Sequence, residues 1–206
     1  MKLRLATPML LLALAASAPP KDELPGGEEW PCWRGPRRDG ISRENIADRW
    51  PGNGPRRVWR MPAGAGFASP VAYKGNVYMF SLDGGKEGLA CHNADTGKTL
   101  WAQAYAVGSQ RVDYEGVRAT PAIDGDRIYT YGSRGLLVCR HLADGKELWR
   151  LDVLRESNAQ LLGETQVWGQ ASSPLIVGDL LYVQSGRGPH AAVAVDKKTG
   201  QVSWKS

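Results

Sequence analysis

Short apolar runs alternate with tight polar clusters along most of the chain. Val71-Ala72-Tyr73 is followed by Lys74-Gly75, and Asn76-Val77-Tyr78-Met79-Phe80 comes directly after. Runs this short, rich in β-branched and aromatic residues and bounded by Gly, Asp and Asn, predict strands joined by turns. Residues 69–73 are expected as one strand, 76–80 as the next, 89–93 as a third and 98–103 as a fourth. Turns fall at Lys74-Gly75 and Thr96-Gly97. The pattern recurs with turns at Asp124-Gly125-Asp126 and Gly178-Asp179.

The recurrence is a repeat with fixed internal spacings. Gly97, Gly145 and Gly200 each stand four residues before a tryptophan: Trp101, Trp149 and Trp204. Ala68-Ser69-Pro70, Ala119-Thr120-Pro121 and Ser172-Ser173-Pro174 precede them, and each proline is followed eight residues later by Tyr78, Tyr129 or Tyr182. Four short strands at a period near 50 residues define an all-β fold, a β-propeller of four-stranded blades. A β-solenoid has much shorter rungs, and a sandwich gives no reason for a repeated tryptophan. The expected blades cover about 66–105, 117–153 and 170–206. A blade cannot bury both faces alone, so Trp101, Trp149 and Trp204 are read as indoles lying across neighbouring blades. Gly97, Gly145 and Gly200 supply turns of positive φ. Trp59 marks a lone outer strand over 58–62, of the kind that closes a ring.

Residues 1–18 have the form of a signal peptide: basic Lys2 and Arg4, an apolar stretch too short to span a bilayer, and Ala16-Ser17-Ala18 as a cleavage site. The chain is therefore expected to be exported, to the periplasm or cell exterior. No later segment is apolar enough to cross a membrane. Residues 19–57 form an extended lead-in, expected to pack Trp30 and Trp33 against the domain. The formal net charge of +5 is mild and evenly spread, which argues against nucleic acid as partner. Cys91 and Cys139 occupy the same repeat position, filled by Ala194 in the third copy, and read as small buried strand residues. Cys32 stands alone, with no disulfide framework visible.

Ala194-Val195-Asp196-Lys197-Lys198-Thr199-Gly200-Gln201-Val202-Ser203-Trp204 resembles the blade ending of the pyrroloquinoline quinone (PQQ)-type propeller repeat family. Trp30-Pro31-Cys32-Trp33-Arg34-Gly35-Pro36 resembles the start of its exported members, and Trp168-Gly169 with Ser173-Pro174-Leu175-Ile176 is similar to them too. The resemblance spans roughly residues 30–206. It implies a ring of seven or eight blades, of which about three are present here. The chain is thus expected to be the N-terminal fragment of a longer protein, or a truncated reading frame, with the remaining blades in the full-length chain; closure by oligomerisation is the alternative. The family includes quinoprotein dehydrogenases and the propeller lipoprotein of the outer-membrane β-barrel assembly machinery. Two functions are therefore expected: a module that binds a protein or polymer, or an alcohol or sugar dehydrogenase using PQQ with calcium. In the second case the catalytic residues would lie mainly in missing blades, because no carboxylate cluster suited to calcium is visible in these. No metal site is expected, and His92, His141 and His190 have no evident metal partners.

The connections from the fourth strand of one blade to the first of the next grow along the chain. Trp59 to Pro70 is 11 residues, Trp101 to Pro121 is 20 and Trp149 to Pro174 is 25. Loops that lengthen on one face carry function more often than constant turns do. The candidate ligand-binding residues on that face are Arg111, Glu115, Arg118, Gln166, Trp168 and Gln170. Asp113, Tyr114 and Glu164 lie beside them, with Asp83, Lys86, Glu87, Arg134, Arg187 and His190 from the loops between second and third strands. Arg118 and Gln170 directly precede first strands and are expected to face the channel. Glu115 with Arg118 either holds an anionic ligand or pairs internally to stiffen the loop; Trp168 either stacks a flat ligand or anchors its loop. Ser69, Thr120 and Ser173 read as turn-capping hydroxyls.

Overall fold

The computed structural model describes residues 28–45, 47–163 and 166–206. The signal-peptide stretch 1–18 and Glu164 lie outside the described residues. The chain forms three four-stranded antiparallel sheets, each a meander in sequence order. The first blade is β1 (Val71–Tyr73), β2 (Asn76–Asp83), β3 (Lys86–Asn93) and β4 (Thr99–Ala106). The second is β5 (Ala122–Asp124), β6 (Arg127–Tyr131), β7 (Leu136–His141) and β8 (Glu147–Asp152), followed by a one-turn helix, α1 (Val153–Glu156). The third is β9 (Leu175–Val177), β10 (Leu180–Gln184), β11 (Ala192–Asp196) and β12 (Val202–Lys205). These are the blades of an incomplete β-propeller.

Each blade aligns its signature residues in one cross-strand row. Tyr78 pairs with Cys91 and Cys91 with Trp101, as Tyr129 does with Cys139 and Trp149, and Tyr182 with Ala194 and Trp204. The tyrosine and tryptophan rings meet over the small central residue, with centroids 6.0, 5.9 and 5.8 Å apart. A larger central residue would force the rings apart, which explains the Cys, Cys, Ala series. Burial raises the thiol pKa of both Cys91 and Cys139, as befits packing residues. In every blade a register shift follows the central residue, at Cys91/His92, Cys139/Arg140 and Ala194/Val195. Such a bulge adds twist before the turn into the outer strand.

The outer tryptophans of the first two blades dock on the next blade's turn, and Trp59, which precedes the first blade, docks on that blade's turn in the same way. Trp101 Nε1 donates to the Leu142 carbonyl at 3.1 Å and Trp149 Nε1 to Lys197 at 3.2 Å, while Trp59 Nε1 reaches Ala94 at 2.7 Å. Beneath each ring lies the turn glycine. A Cβ at Gly97, Gly145 or Gly200 would stand 2.8, 2.5 or 2.7 Å from the ring of Trp59, Trp101 or Trp149. The glycine thus serves two needs, a φ of 70–75° and a flat seat for the preceding blade's indole. The apolar cores lie between blades. Val71, Tyr78, Leu89 and Val117 join Ile123 and Ile128 across the first boundary, and Tyr129, Leu137 and Val153 join Leu181 and Val193 across the second.

Several expectations need correction. Residues 58–62 form no strand, because no neighbouring strand is available to them among the described residues; Trp59 is held by its indole alone. The first strand begins at Val71 rather than Ser69, because the Ser69 amide donates to the Thr120 hydroxyl at 3.1 Å. The Thr120 amide donates in turn to the Ser173 hydroxyl at 3.0 Å. These hydroxyls therefore link consecutive blades rather than cap their own turns. In the first blade β2 and β3 run on to Asp83 and Lys86. Gly84 and Gly85, with φ of 52° and 73°, close a tight hairpin where a loop was expected.

Candidate functional site

Connections between blades and the loops between second and third strands share one face. Arg134 Nε donates to the Gln110 carbonyl at 3.0 Å, the Gln170 amide to Ser133 at 2.8 Å, and the Gln160 and Arg187 backbones bond reciprocally. The short turns occupy the opposite face, where the Ala94, Leu142 and Lys197 amides donate to Gly75, Asp126 and Asp179.

On the long-loop face the two longest connections are zipped together by Asp113. Its amide donates to the Val167 carbonyl at 2.7 Å, and its carboxylate accepts the Val167 amide at 2.8 Å. Arg111 donates to the same carboxylate at 2.6 and 2.9 Å. The Val167 N–H, and after it Arg111, hold the Asp113 carboxyl below its usual range. The zip places Tyr114 against Trp168 in a parallel stack, centroids 5.5 Å apart and planes 12° from parallel. Both rings remain open to solvent, at 60% and 46% exposure. Tyr114 sits at φ 56°, a left-handed conformation unusual for an aromatic residue.

Glu115 does not meet Arg118. It pairs with Arg134 at 3.4 Å. Arg118 instead donates to the carbonyls of Gly116, Asp113 and Tyr114, at 2.7, 2.6 and 2.5 Å, and so wraps the base of its own loop. Three convergent carbonyls outcompete a solvated carboxylate for a half-buried guanidinium. Burial and then the charge of Arg134 lower the Arg118 pKa. Gln166 is exposed, and no bond from its side chain is found among the described residues. Gln170 is fully buried, with its backbone on Ser133 and its side chain beside Gly186 rather than open to the channel, and among the described residues its side-chain carboxamide has no hydrogen-bond partner.

Glu87, expected in an exposed loop, is 1% exposed and clamps the first two blades. It accepts the Ser133 amide at 2.9 Å, the Ser133 hydroxyl at 2.5 Å and the Tyr105 hydroxyl at 2.7 Å. The clue available in sequence was the alternation of β3, which turns Glu87 to the same side as the buried Leu89 and Cys91.

The central side of the blades carries the lead-in. Trp30 forms a reciprocal bridge with Ala72 of β1, at 2.8 and 3.1 Å. The Ile123 amide of β5 donates to the Pro31 carbonyl at 2.8 Å, and Arg38 donates to the Ile176 carbonyl of β9. The segment thus crosses the free edges of all three inner strands. Trp30 packs on Gly35, but Trp33, expected to pack as well, is 54% exposed. It stands at the rim of a cavity of about 520 Å³ lined by Cys32, Arg34, Arg38, Phe67, Arg118 and residues 171–175. The lining has guanidinium groups and aromatic rings but no carboxylate or carboxamide. It therefore does not fit calcium, which needs several oxygen ligands. Among the described residues no His, Cys, Asp and Glu cluster has metal-binding geometry. His92 is buried beside Thr99, with burial lowering its pKa, and His190 faces the Ser206 carbonyl.

Four-stranded blades locked by a tryptophan on the next blade's glycine make this a propeller of PQQ-type repeats. The chain belongs to the family described as "Outer membrane protein assembly factor BamB", which matches residues 51–206. No curated protein matches it at a significant level. Among solved structures it is similar to a europium-containing methanol dehydrogenase, at 20% identity and TM-score 0.58, over 73% of this chain and 27% of that one. BamB from Moraxella catarrhalis is similar at 19% identity and TM-score 0.52, over 72% of this chain and 42% of that one. Quinohemoprotein alcohol dehydrogenase from Comamonas testosteroni is similar at 19% identity and TM-score 0.51, over 70% and 21%. The chain thus spans less than half the length of these proteins, and the likeness carries the fold alone. Among the described residues no helix is long and apolar enough to cross a membrane.

Proposed function

We propose that the chain is part of an exported binding module that holds a protein partner on its long-loop face. The observation that carries this reading is the Tyr114–Trp168 stack, exposed yet presented on loops zipped through Asp113. Rigid, half-open aromatic rings flanked by charged groups are the composition of an interface hot spot. Arg111, Glu115 and Gln166 would form the polar rim around it. Membership in a family described by an outer-membrane assembly factor supports a protein as partner rather than a small substrate. Site-specific photocrosslinking in the producing cell tests this. A crosslinker at Trp168 should yield a discrete adduct, whereas one at Lys98 on the turn face should not. Equal adducts from both faces, or none from Trp168, would overturn the reading.

A second reading is a PQQ-dependent dehydrogenase, favoured by the channel cavity beside Arg118 and by the dehydrogenase-like fold. The residues described do not fit the calcium such a cofactor is expected to bring, so other blades would have to supply its ligands. Incubating the intact protein with PQQ and calcium should change the quinone absorbance if this reading holds. An unchanged spectrum would sink it.

A further inference from the structure

We infer that the lead-in converts the channel cavity into a binding site for a small multivalent oxyanion, a carboxylate or phosphate compound held by Arg34, Arg38 and Arg118. The inference is independent of the long-loop face. It rests on charge placement. All three arginines line the same cavity of about 520 Å³. None of them pairs with a carboxylate among the described residues. Arg34 donates to the Asp39 carbonyl, Arg38 to the Ile176 carbonyl, and Arg118 to three loop carbonyls. Those bonds fix the guanidinium groups in place with no carboxylate bonded to any of them, although the buried Glu87 charge acts on Arg118 from a distance.

The intervening Arg37 shows what neutralisation looks like in the same segment. It bonds Glu28 and Asp39, and it pulls the Glu28 carboxyl down to about 2. Glu87, whose charge reaches Arg118, is itself bonded to Ser133 and Tyr105, and two further carboxylates of these blades are engaged elsewhere. Asp124 pairs with Lys197 at 2.7 Å and Glu115 with Arg134.

Backbone strain points the same way. Arg34 and Arg38 adopt φ of 65° and 57°, a region where glycine or asparagine is the relaxed choice. Arginine at both positions of one turn costs stability and returns two cations at the mouth of a cavity. Guanidinium forks suit carboxylate and phosphate oxygens better than an ammonium does. The apolar wall is aromatic: Arg118 lies 5.5 Å from the Phe67 ring, which is 65% exposed, with Trp33 also at the rim. A volume of this size holds a small molecule rather than a peptide segment.

The test is calorimetric titration of the intact protein with sodium citrate and, separately, sodium pyrophosphate at low ionic strength. Saturable binding of either is expected. Citrate alone would assign a carboxylate ligand, and pyrophosphate alone a phosphate ligand. Arg34→Gln and Arg38→Gln should each weaken binding about tenfold, the loss of one charge-assisted contact. Arg49→Gln, in an exposed part of the lead-in away from the cavity, should leave it unchanged. The unaltered protein is itself decisive should a variant fail to fold. No saturable heat with either anion up to about 10 mM would overturn the proposal, as would full affinity in the folded Arg34→Gln/Arg38→Gln double variant.

Discussion

The two faces of the blades are built on opposite principles. On the turn face one contact is repeated: an indole of one blade lies on a glycine of the next, with its N–H on a turn carbonyl. On the long-loop face only the amide-to-hydroxyl relay through Thr120 and Ser173 recurs, and the other contacts differ from one boundary to the next. Glu87 clamps the first boundary, yet the glycine and valine at the matching positions of the second blade, Gly135 and Val153, meet through a backbone bond at the start of α1. A contact that must serve at every boundary has to be the same at each, and that keeps the turn face periodic. The other face is released from that duty and free to specialise. Stability should therefore be concentrated where the sequence repeats, and recognition where it does not.

The largest effect should come from breaking the repeated contact. Gly145→Ala would drive a Cβ to within 2.5 Å of Trp101 and strain a φ of 72°. Urea unfolding should show a loss of about 3 kcal/mol. Gly125→Ala is the control on the same face, with φ of 61° but open space around it, and should cost only about 1 kcal/mol. Equal losses would mean that the glycine is needed for its backbone alone.

Next in size is the buried clamp of the other face. Glu87→Ala strands the Ser133 amide and the Tyr105 hydroxyl and should cost about 2 kcal/mol in the same assay. A neutral result would show that the loop face contributes no strength to its boundary.

Acid should weaken both faces together. Asp113 on the loop face and Asp144 and Asp196 on the turn face all have carboxyl pKa values held down, chiefly by backbone N–H groups. A depressed folded value means that the stabilisation is present above the unfolded value of about 4 and lost as pH falls through the lower folded value. Urea midpoints should therefore decline below about pH 4, and Asp113→Asn should flatten that decline.

The smallest effect on stability belongs to the exposed stack. Tyr114→Ala with Trp168→Ala should shift unfolding by less than about 1 kcal/mol, since half-open rings bury little area. The same pair should abolish the Trp168-face interaction. A large loss of stability would mean that the rings brace the loops instead of presenting a surface.

The periodic face was legible from spacing alone, because Trp101, Trp149 and the glycines before them recur at constant distance. Spacing could not show that Gly145 seats Trp101 rather than its own Trp149, since that juxtaposition exists only once blades are stacked. The loop face was harder to read because most of its partners obey no period. Glu115 finds Arg134 from another loop, and Gln170 turns into the protein beside Ser133. The cavity arginines escaped notice for a related reason. Arg34 and Arg38 precede the first repeat, and only the crossing of three inner strands brings them to Arg118.

That crossing also orders events in time. Arg38 and its acceptor at Ile176 are 138 residues apart, so the lead-in, made before any blade, cannot complete its contacts until the third blade exists. Blades can stack one upon another as they emerge, by local contacts and short loop closures. The lead-in must wait for the third blade, and its docking there closes a loop far longer than any within a blade.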